Sequence, residues 1–119
     1  MAFGKQQNFV WDYSKKSDIL NIHKAGQKVS GSSEFEDFTV DFDSKGQVVG
    51  IEIMYASEFL SSAGIQKEQL LKMREAEILV NKRNNYAVIW IKLMLPNLSE
   101  KSEDAIVEKN VSLPVPIIN

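Results

Sequence analysis

The chain contains no cysteine. Disulfide staples, thiolate nucleophiles and cysteine-ligated zinc are therefore excluded, and the absence fits a reducing compartment. Long apolar runs are missing too. The longest, "YAVIWIKLML", is interrupted by Lys92 and stopped by Pro96, short of the roughly 20 residues a membrane helix needs. The opening "MAFGKQQNFVWDY" has no apolar h-region of the kind a secretory signal carries. A cytoplasmic location without membrane contact is the expectation. Charge of one sign is not in excess either: 14 basic residues face 16 acidic ones. Lys67, Lys72, Arg74, Lys82 and Arg83 alternate with Glu68, Glu75 and Glu77, so the reading is a mixed solvated face and no nucleic-acid partner. Neither G-x-G-x-x-G nor G-x-x-x-x-G-K occurs, which removes the common phosphate loops.

What is present describes a soluble globular domain. At 119 residues, 44% hydrophobic and 25% charged, the chain suits one domain over 1–119. Phe9, Trp11 and Tyr13 alternate with Val10 and Asp12, and Leu20 and Ile22 share a face after the polar "SKKS". This period of two predicts a hairpin. "KAGQKVSGSSEFE" reads as a mobile loop. Phe38, Val40 and Phe42 then alternate with Asp37, Thr39, Asp41 and Asp43, and Val49, Ile51 and Ile53 resume beyond Gly46. A two- or four-residue turn pairs apolar with apolar, Val40 opposite Ile51. A three-residue turn exchanges the faces and is disfavoured.

A short or broken helix is expected near residues 56–73, with Ser57 as N-cap, Gly64 as stop and Leu70, Leu71 and Met73 as its later apolar side. "REAEILV" and "NYAVIWIKLML" predict another hairpin. Its second strand is apolar on both faces, one of them carrying Tyr86, Val88, Trp90 and Met94. Such a strand is central or covered by a partner chain. Pro114 and Pro116 predict an edge position or a packed tail for the end of the chain. The expected class is α+β, mostly antiparallel hairpins.

"DFDSKGQVVGIE" (41–52) carries the chemistry the sequence offers. Asp41, Asp43, Gly46 and Glu52 meet the calcium-loop pattern, and Lys45 breaks it. Such a loop belongs between two helices, whereas both flanks here have strand period. A hairpin whose acids share a solvated face is the better reading. The metal candidates are Asp41, Asp43, Glu52 and Asp18, set against a plain solubility role. His23, the only histidine, reads as a surface residue at a hairpin end, because no triad spacing surrounds it. Asp12, Asp18 and Asp41 could supply a carboxylate pair for hydrolysis in principle, but the sequence alone does not set any two of them across a cleft. The sequence therefore predicts no catalytic residues and no cofactor.

Two stretches resemble a known family. "YSKKSDILNI" (13–22) and "VDFDSKGQVVGIEIMYAS" (40–57) are similar to the opening and core runs of the domain-of-unknown-function 2283 family. Ser14 departs from it, standing where the family usually has Asp. The resemblance covers residues 13 to about 60 and leaves 65–119 as a hairpin extension. It implies a small β-rich prokaryotic domain without assigned activity. It also implies structural roles for Asp18, Asp41, Asp43 and Glu52, a turn at Gly46 and a close backbone approach at Gly50. Relatives encoded beside small toxin-like proteins suggest an antitoxin-like role for the chain, or another role in binding a partner. Three readings result. The first is a non-enzymatic interaction domain that associates with itself through Tyr86, Val88, Trp90 and Met94. The others are a binder of a small partner protein and a metal-dependent enzyme using the acidic face.

Overall fold

The computed structural model describes residues 8–96, 99 and 102–112. Among these residues are two antiparallel sheets and two short helices. Strands β1 (Phe9–Ser14), β2 (Ile19–Lys24), β3 (Gly31–Phe35), β4 (Phe38–Phe42) and β5 (Val48–Met54) form the first sheet in the order β1-β2-β5-β4-β3. Helices α1 (Ala56–Ser61) and α2 (Lys67–Leu71) lead to β6 (Glu75–Lys82), β7 (Tyr86–Pro96) and β8 (Ser102–Ser112), a sheet in that order. The label α+β fits loosely, because the helices are two short pieces in a β-rich fold.

Alternation explains both sheets. On the first, Trp11, Ile22, Ile51 and Val40 lie in one cross-strand row, and Tyr13, Leu20, Ile53 and Phe38 in the next. On the second, Ile78, Ile91 and Val107 are aligned, as are Ala76, Leu93 and Ala105. Residues of these rows, with Leu60, Ile65 and Leu70 from the helical segment, make a continuous hydrophobic cluster spanning both sheets. Phe59 closes one side edge-on against Phe38, ring centroids 4.8 Å apart. The Lys109 ammonium sits over the Phe38 ring, 5.2 Å from its centroid.

Local chemistry decides the connections. At the β4–β5 turn the Asp43 N–H donates to the Gln47 carbonyl, enclosing Ser44, Lys45 and Gly46, and Gly46 has φ +79°. The turn is thus the odd one that alternation disfavours. A bulge opposite Phe42 corrects it: Phe42 pairs with Val48, but Asp41 pairs with Gly50, so Val40 still meets Ile51. Asp43 fixes the turn by accepting from the N–H groups of Lys45 and Gln47.

Part of the expected mobile loop is strand β3, which pairs with β4 from Gly31 to Phe35. Its Gly and Ser residues have low strand propensity, and backbone pairing along β4 supplies what the side chains do not.

Helix α1 begins at Ala56, with Tyr55 (φ +54°) as N-cap and Ser57 inside the first turn, not capping it. The cap comes from the β1–β2 turn: Asp18 accepts from the Ser57 N–H at 3.0 Å and the Ser57 hydroxyl at 2.7 Å. Gly64, at φ +80°, ends the turn after α1. Helix α2 carries a capping box between Gln66 and Gln69; it buries Leu70 but leaves Leu71 48% exposed, since five helical residues present only one apolar position inward. Pro114 and Pro116 lie outside the described residues.

Candidate functional site

The outer face of the five-stranded sheet gathers the polar residues that alternate with the core. One row across the strands reads Val10, His23, Gly50, Asp41 and Ser32; the adjacent row reads Asp12, Asn21, Glu52, Thr39 and Glu34. At their centre Asp41 is 2% exposed, the one buried charged residue among those described. A carboxylate at that depth needs partners, and it has them. The Ser32 hydroxyl donates to Oδ1 at 2.5 Å, and His23 Nε2 lies 2.6 Å from Oδ2. The Glu52 carboxylate lies within 4.8 Å of both the Asp41 and the His23 ligand atoms. Burial, and then the neighbouring Asp41 carboxylate, push the Glu52 carboxyl above its usual range, while His23 pulls it down.

Gly50 makes this arrangement possible. A Cβ there would fall 2.0 Å from His23 Cδ2, so the imidazole lies across bare backbone, as the expected close approach at Gly50 requires. His23, Asp41 and Glu52 stand on β2, β4 and β5, and their donor atoms lie within 4.8 Å of one another. A shallow open depression of about 230 Å³ beside them is lined by Val10, Trp11, Asp12, Asn21 and His23.

The four acids named as metal candidates separate into two groups. Asp41 and Glu52 meet in this cluster. Asp43 is occupied by its turn, where the Gln47 and Lys45 N–H groups hold its carboxyl below the usual range. Asp18 lies on the β1–β2 turn, at φ +57°, where it caps α1 and accepts from the Tyr13 hydroxyl at 2.6 Å. Burial raises its carboxyl, but hydrogen bonds from Tyr13 and Ser57 outweigh that and leave it below the usual range.

His23 is the residue that the sequence reading passed over. It is not a free surface histidine: its ring packs over Gly50 and meets Asp41. The signal was its place in alternation with Leu20 and Ile22, which sets it on the acidic face. Ser32, also missed, belongs to the strand read as loop. Ser32, Asp41 and His23 do not form a nucleophilic relay, which needs His between Ser and the acid; here Asp41 stands between the other two.

The four proposed interface residues share the outer face of the three-stranded sheet. Tyr86 is 40% exposed, and Val88, Trp90 and Met94 are half-buried. Leu79 pairs with Trp90 and Ile106 with Lys92, and these two neighbours are 54% and 63% exposed. The Trp90 indole donates to Glu108 at 3.0 Å, while Lys92 stands 3.8 Å from both Glu77 and Asp104.

Residues 11–57 match the family described as protein of unknown function (DUF2283). That segment is the five-stranded sheet almost entire, together with the start of α1. An uncharacterized protein of Methanocaldococcus jannaschii is 39% identical over 61 residues, 51% of this chain and 50% of the relative. The chain therefore spans about half the length of the curated relative it matches. No solved structure matches it significantly. Among the described residues, no helix is long and apolar enough to cross a membrane.

Proposed function

We propose that the chain is a non-enzymatic interaction domain that pairs with a second copy of itself through the outer face of β6, β7 and β8. The observation that carries this reading is the apolar group on that face: Leu79, opposite Trp90, and Ile106, opposite Lys92, are more than half exposed, beside Val88, Met94 and Tyr86. Exposed apolar groups gathered in this way favour a covering surface.

Charge favours a second copy as the cover. Glu75, Glu77 and Asp104 lie toward the Met94 end of the face. Arg83 stands at the opposite end, where β6 turns into β7, whereas the Lys82 ammonium turns inward and donates to the Gly46 carbonyl. A twofold axis near Trp90 would set the acidic end of one copy against the basic end of the other, as an isologous contact requires. Three strands of this length cover roughly 35 by 14 Å. That is small for a permanent interface, so the pairing is weak and reversible.

Sedimentation equilibrium over a wide loading range tests it. The apparent mass is expected to rise from 13.5 kDa toward twice that value, and Leu79→Asp with Ile106→Asp is expected to hold it at the monomer without unfolding the chain. A wild-type chain that stays monomeric up to millimolar loading overturns the reading. It would leave the same face to the small partner protein that the family resemblance suggests.

A further inference from the structure

The cluster on the five-stranded sheet combines one imidazole nitrogen with two carboxylates, and the geometry points to a binding site for a divalent transition-metal ion such as zinc, held by His23 Nε2 and one oxygen each from Asp41 and Glu52. Three protein ligands with further positions open is the pattern of an accessible zinc site. The open positions would face the depression lined by Val10, Trp11, Asp12, Asn21 and His23, from which water or a small ligand can reach the ion.

Several features separate this cluster from an ordinary solvated acidic patch. The donors project from three adjacent strands, β2, β5 and β4, so sheet register rather than a loop sets their spacing. Their ligand atoms lie within 4.8 Å of one another. Ligands bound to a tetrahedral zinc at about 2.0–2.2 Å lie about 3.3–3.6 Å from one another, so the three donors need only modest side-chain rotation to close on an ion. Asp41 is almost completely buried and is oriented by Ser32 through Oδ1, an outer-sphere contact that leaves Oδ2 toward His23. Gly50 keeps the space the imidazole occupies, since any side chain at that position would collide with the ring.

The ion would sit where His23 Nε2 and Asp41 Oδ2 now meet at 2.6 Å, taking the place of the proton they share. It would also separate the two crowded carboxylates. A mixed nitrogen and oxygen set favours zinc and its neighbours. Calcium, which asks for six to eight oxygens, and magnesium, which asks for an oxygen octahedron, are poorly served.

His23 is the only histidine, so its ring gives one unambiguous set of imidazole signals. With untagged, chelator-treated full-length chain, zinc is expected to shift those signals and to saturate at one equivalent; calcium and magnesium are expected to leave them in place. By calorimetry, His23→Gln and Glu52→Gln are each expected to weaken zinc binding by about tenfold or more while the circular dichroism spectrum is retained. Imidazole signals unmoved by excess zinc overturn the site. So does zinc binding that is equally tight in both variants, because the ion would then lie on other surface carboxylates. The site does not rest on self-association, and a strictly monomeric chain is expected to give the same titration.

Discussion

The five-stranded sheet keeps its outer face polar, with Asp41 buried against His23 and Ser32 and with Glu52 close by. The three-stranded sheet does the reverse. Its outer face leaves Leu79 and Ile106 in solvent, and Lys92 stands 3.8 Å from both Glu77 and Asp104. Both sheets give their inner faces to one shared cluster. The difference lies in what alternation leaves outside: small and acidic residues around a glycine on one, and aliphatic and aromatic residues on the other. One outer face closes around a buried carboxylate, and the other leaves large apolar side chains exposed. The family match follows the same division, since residues 11–57 stop short of the second sheet.

Ile91→Ala tests the shared core with the largest expected effect. Ile91 is fully buried on β7, and its truncation is expected to cost about 2–5 kcal/mol. Trp11 on β1 and Trp90 on β7 report on separate sheets, so single-tryptophan variants in denaturant distinguish two outcomes. If the sheets fold together, both probes move by the same amount. If only the Trp90 transition moves, the comparison becomes one between two independent units.

Gly50→Ala breaks the polar face alone. The added Cβ must displace the His23 ring, and a loss of about 1–3 kcal/mol is expected, read from urea midpoints. Combining it with His23→Ala should recover most of that loss. A Gly50→Ala chain as stable as wild type would show that the ring is not packed there.

The smallest effect is at the junction between the sheets. Asp18→Ala removes the cap of α1, and about 1–2 kcal/mol is expected from thermal melts. The pH dependence has a definite sign. Because the folded carboxyl of Asp18 is held below its usual range, its contribution is fully present above the unfolded pKa of about 3.9. It is lost as pH falls through the folded value. The stability gap between wild type and Asp18→Asn should therefore be largest near neutrality and narrow in acid. A gap that widens in acid would assign Asp18 a different partner.

Much of the fold was legible because both sheets obey a period of two. The pairs Val40–Ile51 and Phe38–Ile53 follow from alternation alone, and so do the β1–β2 and β6–β7 hairpins. Two features were hidden for physical reasons. Strand β3 has almost no apolar side chains, so its pairing is a backbone matter that composition does not reveal. The odd β4–β5 turn contradicts parity until a bulge one residue later restores it.

By itself the sequence determined the alternation, the acidic and apolar outer faces and the glycine turn at Gly46, since side-chain period and backbone sterics are local properties. Tertiary structure alone decided which polar residues meet. Asp41 and Asp43 are two positions apart and chemically identical. One is buried against a histidine 18 residues away, and the other is spent on its own turn. Sheet order placed β2 beside β5 and β5 beside β4. That adjacency, which no local pattern encodes, made a cluster of His23, Asp41 and Glu52.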